Sequence, residues 1–296
     1  DYSASLINSL SKLNLSRIIS GTMNWGTWGV NHSSDKMSKL ILSAFNNGIN
    51  SFDHADIYGG YSTEETFGEA FLKTGINREN VFFISKCGIM YPSDKLPIKV
   101  KYYDYSEKHL IQSVENSLKN LRTDYLDCFL LHRPSPLMNI SEISNTINHL
   151  LKENKIRSFG VSNFTSSQME MFKGKLKISF NQINLSLTNL DSIFDGTLEY
   201  MQTNDIIPMA YSPLGQYYKT ENTKLKEVVD IFTKKYNCSD DQLLLSWLIK
   251  LPSGVYPVIG TTKVNRINKS LGSLKIDIEI SDWFEILEAS AGKRVA

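Results

Sequence analysis

The sequence has little of what marks secreted, membrane-bound or nucleic-acid-binding chains. Only three cysteines, Cys87, Cys128 and Cys238, are scattered through its 296 residues. An odd, dispersed set argues against a disulfide framework and suits a reducing compartment, with each thiol expected as buried packing. No apolar run approaches the roughly 18–20 residues of a membrane span, and no basic stretch followed by an apolar one opens the chain. A cytoplasmic location is therefore expected, with room left for a leader removed ahead of Asp1. An excess of one charge is missing too: 32 Lys+Arg stand against 31 Asp+Glu, with no run of five like charges. That speaks against nucleic acid and membrane surfaces as partners and in favour of a small molecule. G-x-G-x-x-G is absent, so a Rossmann turn is not the means of holding a dinucleotide. H-x-H and H-E-x-x-H are also absent, and 54-HAD-56 with a distant His132 is a poor ligand set, so no metal is expected.

What is present is an alternation. Eight short β-rich runs are apolar almost continuously: 17-RIISGTM-23, 50-NSFDHA-55, 81-VFFISKC-87, 126-LDCFLLH-132, 156-IRSFGVS-162, 180-FNQINLS-186, 206-IIPMAYS-212 and 255-VYPVIG-260. Such runs fit strands buried on both faces of a parallel sheet. Between them lie helical patterns. Met37, Leu40, Ile41, Ala44 and Phe45 repeat at helical spacing, with Gly48 where a C-terminal glycine belongs. Leu110, Ile111, Val114, Leu118 and Leu121 share one face of 106–121, and Thr165 with Gln168 and Ser239 with Gln242 have capping-box spacing. Strand–helix repeats over about 250 residues, without a Pro/Ser-rich linker, predict an α/β chain folded as a single (β/α)8 TIM barrel spanning 1–296. The polar, aromatic and irregular stretch 88–105, with Tyr91, Tyr102, Tyr103 and Tyr105, is expected to be an active-site flap.

In such a barrel the chemistry lies at the C-terminal strand ends. There stand Asp53, Lys86, His132, Ser162, Asn163, Gln182, Tyr211, Ser212 and the segment 260–266. Singly, each reads as an edge charge or a satisfied core group. Together they converge on one mouth, where a lone Lys86 or Asp53 would be costly to bury. Paired on adjacent strands, Asp53 would hold Lys86 protonated, and Lys86 is expected to lower the Tyr58 phenol from about 10 toward the working pH. Tyr58 would then give a proton to a carbonyl oxygen that a neutral His132 orients. His54, on the opposite strand face, is expected to be structural, Asp56 to cap or pair within its loop, and Gly59 and Gly60 to turn the chain. A set that protonates a developing alkoxide needs a hydride source, which no side chain supplies; a nicotinamide cofactor is implied. Gly215 and 260-GTTKVNR-266 offer backbone N–H groups and positive charge for phosphates. Lys263 and Arg266 together suit the 2′-phosphate of NADPH better than NADH. Tyr211 would stack on the nicotinamide, with Asn163 and Gln182 on its carboxamide.

In this order and spacing, 21-GTMNWG-26, 49-INSFDHADIYG-59, 84-ISK-86, 130-LLHRP-134, 160-GVSNF-164, 181-NQ-182, 211-YSPLG-215 and 257-PVIGTTKVNRI-267 resemble the aldo-keto reductase superfamily. The phrases 53-DHADIYGGY-61, 85-SKCGI-89, 131-LHRPSPLM-138 and 247-WLIKLPS-253 are similar to its bacterial branch of predicted oxidoreductases. The resemblance implies an NADP-dependent reductase that converts aldehydes or ketones to alcohols, with Tyr58 as general acid, Asp53 and Lys86 as its tuning pair and His132 as orienter. It implies cofactor contacts at Gly21, Thr22, Met23, Ser162, Asn163, Gln182, Tyr211, Ser212, Pro213, Leu214, Gly215, Gly260, Thr261, Thr262, Lys263 and Arg266. Two departures stand out. Gly260 and Thr261 replace a Lys-Ser pair, and Lys269 and Ser270 replace a Glu-Asn pair, which loosens the expected preference for NADPH. The tail beyond Trp283 is short, so the 88–105 flap would set specificity. A catalytically idle cofactor-binding sensor is the alternative, and the intact set of catalytic residue types argues against it.

Overall fold

The computed structural model describes residues 13–296, and the first twelve residues of the expected domain lie outside them. In chain order the strands are β1 (Ile19–Gly21), β2 (Ser51–Asp53), β3 (Phe82–Cys87), β4 (Ile89–Met90), β5 (Tyr102–Tyr103), β6 (Cys128–Leu131), β7 (Phe159–Ser162), β8 (Phe180–Asn184), β9 (Ile207–Tyr211) and β10 (Tyr256–Ile259). Eight of them close a parallel barrel in the order β1-β10-β9-β8-β7-β6-β3-β2. The predicted (β/α)8 barrel is thus what the chain forms, each predicted run supplying one strand.

Helices cover the outside, among them α1 (Ser34–Asn46), α2 (Thr63–Thr74), α3 (Glu107–Leu121), α4 (Ile140–Lys152), α5 (Ser166–Glu170), α6 (Thr197–Thr203), α7 (Thr223–Tyr236), α8 (Asp240–Ile249), α9 (Val264–Ser270) and α10 (Ile280–Ala291). Both predicted capping boxes are formed, opening α5 and α8. Gly48 takes φ 101° just past α1, a left-handed value that a side chain would resist. Among the described residues no helix is long and apolar enough to cross a membrane.

Alternation along each strand separates two cores. Ile19, Phe82, Ile84, Cys128, Leu130, Phe180, Ile207, Met209, Tyr256 and Val258 fill the barrel interior. Their neighbours Phe52, Phe83, Phe129, Leu131, Val161 and Ile183 pack outward under the helices. The inward row of β7 must be small, since a Cβ at Gly160 would meet Leu130 Cδ2 at 2.5 Å and the Phe180 carbonyl oxygen at 2.6 Å. Continuing each inward row two residues further places Asp53, Lys86, His132, Ser162, Gln182 and Tyr211 at one rim. These side chains stand above the apolar plug, at the C-terminal ends of the strands where barrel chemistry is expected.

The segment 88–105 is more regular than its composition predicts. β4 and β5 pair antiparallel as a hairpin, with Ile89 opposite Tyr103. Tyr105 anchors its base: its hydroxyl donates to the Arg133 carbonyl at 2.5 Å and accepts from the Arg133 N–H at 3.1 Å. Its ring occupies the space a Cβ on Gly88 would need. Between the two short strands the stretch stays without helix or ladder strand, as its composition predicts, and Tyr105 fixes its base.

Candidate active site

Lys86 is the centre of the rim. It is 1% exposed, yet its ammonium donates to Asp53 Oδ2 at 2.8 Å, the His54 carbonyl oxygen at 2.8 Å and Tyr58 Oη at 3.1 Å. A lysine ammonium has three donors and no acceptor, so all three are spent and Tyr58 is the acceptor of the last. Burial opposes the charge, but Asp53 and Tyr58 outweigh it and leave Lys86 above its usual value. The expected Asp53–Lys86 pair is therefore formed, and Tyr58 is brought to it by a sharp turn. Gly59 and Gly60 take φ 66° and 63°, and a Cβ on Gly59 would meet Thr63 Oγ1 at 2.5 Å.

One expectation is reversed. Burial pushes Tyr58 up to about 12, and the charge and hydrogen bond of Lys86 only partly offset it, with Asp53 adding to the rise. The phenol is thus a weaker acid than its lysine neighbour alone would make it. His132 conforms better: burial, then Lys86 and Arg133, hold its imidazole well below 6.5, so it is neutral. Its ring centroid lies 6.4 Å from that of Tyr58, and its Nδ1 is buried without a partner. His54 faces the other way: its Nδ1 meets Thr22 Oγ1 at 3.0 Å and its ring lies 4.2 Å from Phe67, as a structural residue would. Asp56 bonds within its own loop, its carboxylate accepting from the Ile57 backbone. Its Oδ1 is buried without a partner, and burial together with the Glu64 charge holds it well above 3.8.

Both amide residues also have partners within the protein. Gln182 donates through Nε2 to Asp53 Oδ1 at 2.9 Å. Asn163 donates to the His132 carbonyl and Ser162 Oγ, each at 3.2 Å, and accepts from Tyr211 Oη at 2.7 Å, so both ends of its amide are taken. Ser162 Oγ donates to the Gln182 carbonyl at 2.8 Å. Thr22 is fully buried, donating to the Asp53 carbonyl at 2.9 Å; its hydroxyl serves the strand ends. Gly21 is buried beside it, and Met23 is exposed. Asn163 and Ser212, immediately after β7 and β9, take φ 62° and 48°, left-handed values uncommon outside glycine and asparagine.

Beside this constellation a cleft of about 760 Å³ is lined by nine of the expected residues: Ser212, Pro213, Leu214, Gly215, Gly260, Thr261, Thr262, Lys263 and Arg266. Asn24, Tyr218, Asp240 and Asp241 also line it and were missed. The two acids belong to a helix start that the capping box had marked, so their residue types were explained by the cap alone. Lys269 is tied to Asp241 at 3.4 Å, whereas Lys263 and Arg266 are exposed and form no ion pair among the described residues. A Cβ on Gly260 would meet nothing nearer than Asn24 Nδ2 at 3.7 Å, which leaves the cleft open at that point. Hydroxyls and two free cations along one groove are a donor set suited to phosphates. Trp28 is a further residue that the sequence did not point to. Its ring lies 6.1 Å from Tyr58 and 5.0 Å from Tyr91, making an aromatic wall beside the mouth.

A closed parallel barrel with a buried carboxylate–lysine–tyrosine chain at its mouth and a hydroxyl- and cation-lined cleft alongside has the layout of a (β/α)8 enzyme. The chain belongs to the aldo/keto reductase family, whose model matches residues 17–291. The uncharacterized oxidoreductase YcsN of Bacillus subtilis is 38% identical over 289 residues, covering 95% of this chain and 96% of the relative. A 6-dehydroglucose reductase of Agrobacterium fabrum is 31% identical over 294 residues, covering 96% and 97%. The crystal structure of the thermostable aldo-keto reductase Tm1743, in complex with the inhibitor epalrestat, matches with a TM-score of 0.79 at 27% identity, covering 93% of this chain and 95% of that one.

Proposed function

We propose that the protein reduces aldehyde or ketone carbonyls to alcohols, with NADPH as cofactor and Tyr58 as proton donor. The observation that carries this is the saturation of Lys86. Since the ammonium donates to Tyr58 Oη, the phenol's own proton is free for another acceptor. NADPH, when bound, supplies the hydride. Ser212, Thr261 and Thr262 would hold its phosphates through hydroxyls, and Lys263 and Arg266 the 2′-phosphate through charge.

Tyr58 need not be acidic near pH 7 to act. A developing alkoxide is a far stronger base than a phenolate, so proton transfer from Tyr58 runs downhill even with its phenol held up to about 12. Lys86 stabilises the phenolate that remains, and Asp53 keeps Lys86 charged. Neutral His132 would donate a hydrogen bond to the carbonyl oxygen and fix its position. An intact, buried chain of this kind speaks for turnover over idle cofactor sensing.

NADPH oxidation against a panel of aldehydes, ketones and sugar-derived aldehydes tests the reading. Tyr58→Phe is expected to lose about 10²–10⁴-fold in turnover while still binding NADPH. Equal turnover by wild type and Tyr58→Phe sinks the proton-donor assignment. Arg266→Ala is expected to weaken NADPH by about tenfold or more and to leave NADH unchanged, since a charge-assisted hydrogen bond contributes about 1.5–3 kcal/mol; equal loss for both cofactors removes the 2′-phosphate role.

A further inference from the structure

Asp53 is held from across the barrel. Strands β2 and β8 lie four places apart in either direction round the closed sheet, so the Gln182–Asp53 hydrogen bond of 2.9 Å spans the mouth. Asp53 is 2% and Gln182 3% exposed. A carboxylate buried so deeply requires donors on both oxygens. Lys86 serves Oδ2, and Gln182 serves Oδ1. Because a carboxylate only accepts, Gln182 has to present its NH2 group to Asp53, and the same nitrogen lies 3.7 Å from Met209 Sδ.

We infer that Gln182 is a positioning residue for proton delivery: by clamping Asp53 Oδ1 it keeps Oδ2 on Lys86 and so fixes the ammonium that contacts Tyr58. This rests on the reading of Tyr58 as the donor and adds a role for Gln182 distinct from cofactor contact. Without the clamp the Asp53 carboxylate can rotate about its Cβ–Cγ bond, and Lys86 follows it. The geometry at Tyr58 then loosens although no group that touches a substrate has changed.

The test is single-turnover reduction at saturating NADPH with Gln182→Met, which keeps length and removes the amide. The rate is expected to fall about tenfold or more, the loss of one charge-assisted hydrogen bond, with carbonyl KM within about twofold. In an Asp53→Asn background the same change is expected to cost nothing further, because its anionic target is gone. Gln182→Glu adds a readout that packing alone would not move. A protonated Glu can donate to Asp53 and an ionised one repels it, so its rate relative to wild type is expected to fall as pH rises. A raised Kd for NADPH with an unchanged rate at saturation, or losses that simply add in the double variant, overturns the inference in favour of a cofactor ligand only. Without any turnover, the ¹⁵N resonance of the buried Lys86 ammonium is expected to move in Gln182→Met, and an unmoved resonance overturns the inference. A wild type that binds NADPH but reduces no carbonyl refutes the proposed function instead, and the resonance still decides the role of Gln182.

Discussion

Lys86→Met should destabilise the protein through one named defect, an uncompensated charge. The Lys86 and Asp53 side chains are 1% and 3% exposed and 2.8 Å apart. Methionine keeps most of the volume, so little cavity forms, but Asp53 Oδ2 loses its only donor among the described residues and the His54 carbonyl loses another. Removing one partner of a buried ion pair costs about 3–5 kcal/mol, most of it the desolvated charge left behind. At roughly 2 °C per kcal/mol for a chain of this size, the melting temperature should drop by about 6–10 °C. The double variant Asp53→Asn/Lys86→Met removes that charge and should recover more than half of the loss. Scanning fluorimetry of the three proteins at one fixed scan rate checks both numbers. A single variant within about 2 °C of wild type, or a double variant no more stable than the single, would refute the reasoning that charge burial governs this site.

Two further outcomes depend on protonation. Burial holds Tyr58 up to about 12, and burial with the Lys86 charge holds His132 well below 6.5, so neither group changes state across the neutral range. Hydride transfer at saturating NADPH should therefore stay level from about pH 6 to about pH 9, and a fall centred near pH 8 that Tyr58→Phe abolishes would contradict it. Asp56 is held well above 3.8 by burial and the Glu64 charge. A carboxyl raised on folding adds stability that is present below its unfolded value and lost as pH rises, because the folded state binds the extra proton. Asp56→Asn should consequently gain more stability over wild type at pH 8 than at pH 5. Urea midpoints at the two pH values decide, and equal shifts would count against the assignment.

Much of this was legible in the primary structure because it is local or periodic. Eight apolar runs at regular spacing dictate parallel strands, and their period of two puts Lys86 on the inward row of Phe82 and Ile84, and Asp53 opposite His54 in facing. Caps at Thr165 and Ser239 follow from spacings of three residues and were formed as read. The barrel, the convergence of polar strand ends and the residue types of the rim therefore follow from the chain itself. What local pattern cannot carry is partnership and solvation. Gln182 reaches Asp53 from 129 residues away, and only the closure of the barrel decides that a residue read as a ligand contact clamps the carboxylate. Likewise Trp28 joins Tyr58 and Tyr91 through loops whose sequences share no period. The acidity of Tyr58 is the clearest case. From sequence its lysine neighbour should lower it, but the depth of burial, a property of the packed whole, outweighs one adjacent charge and raises it.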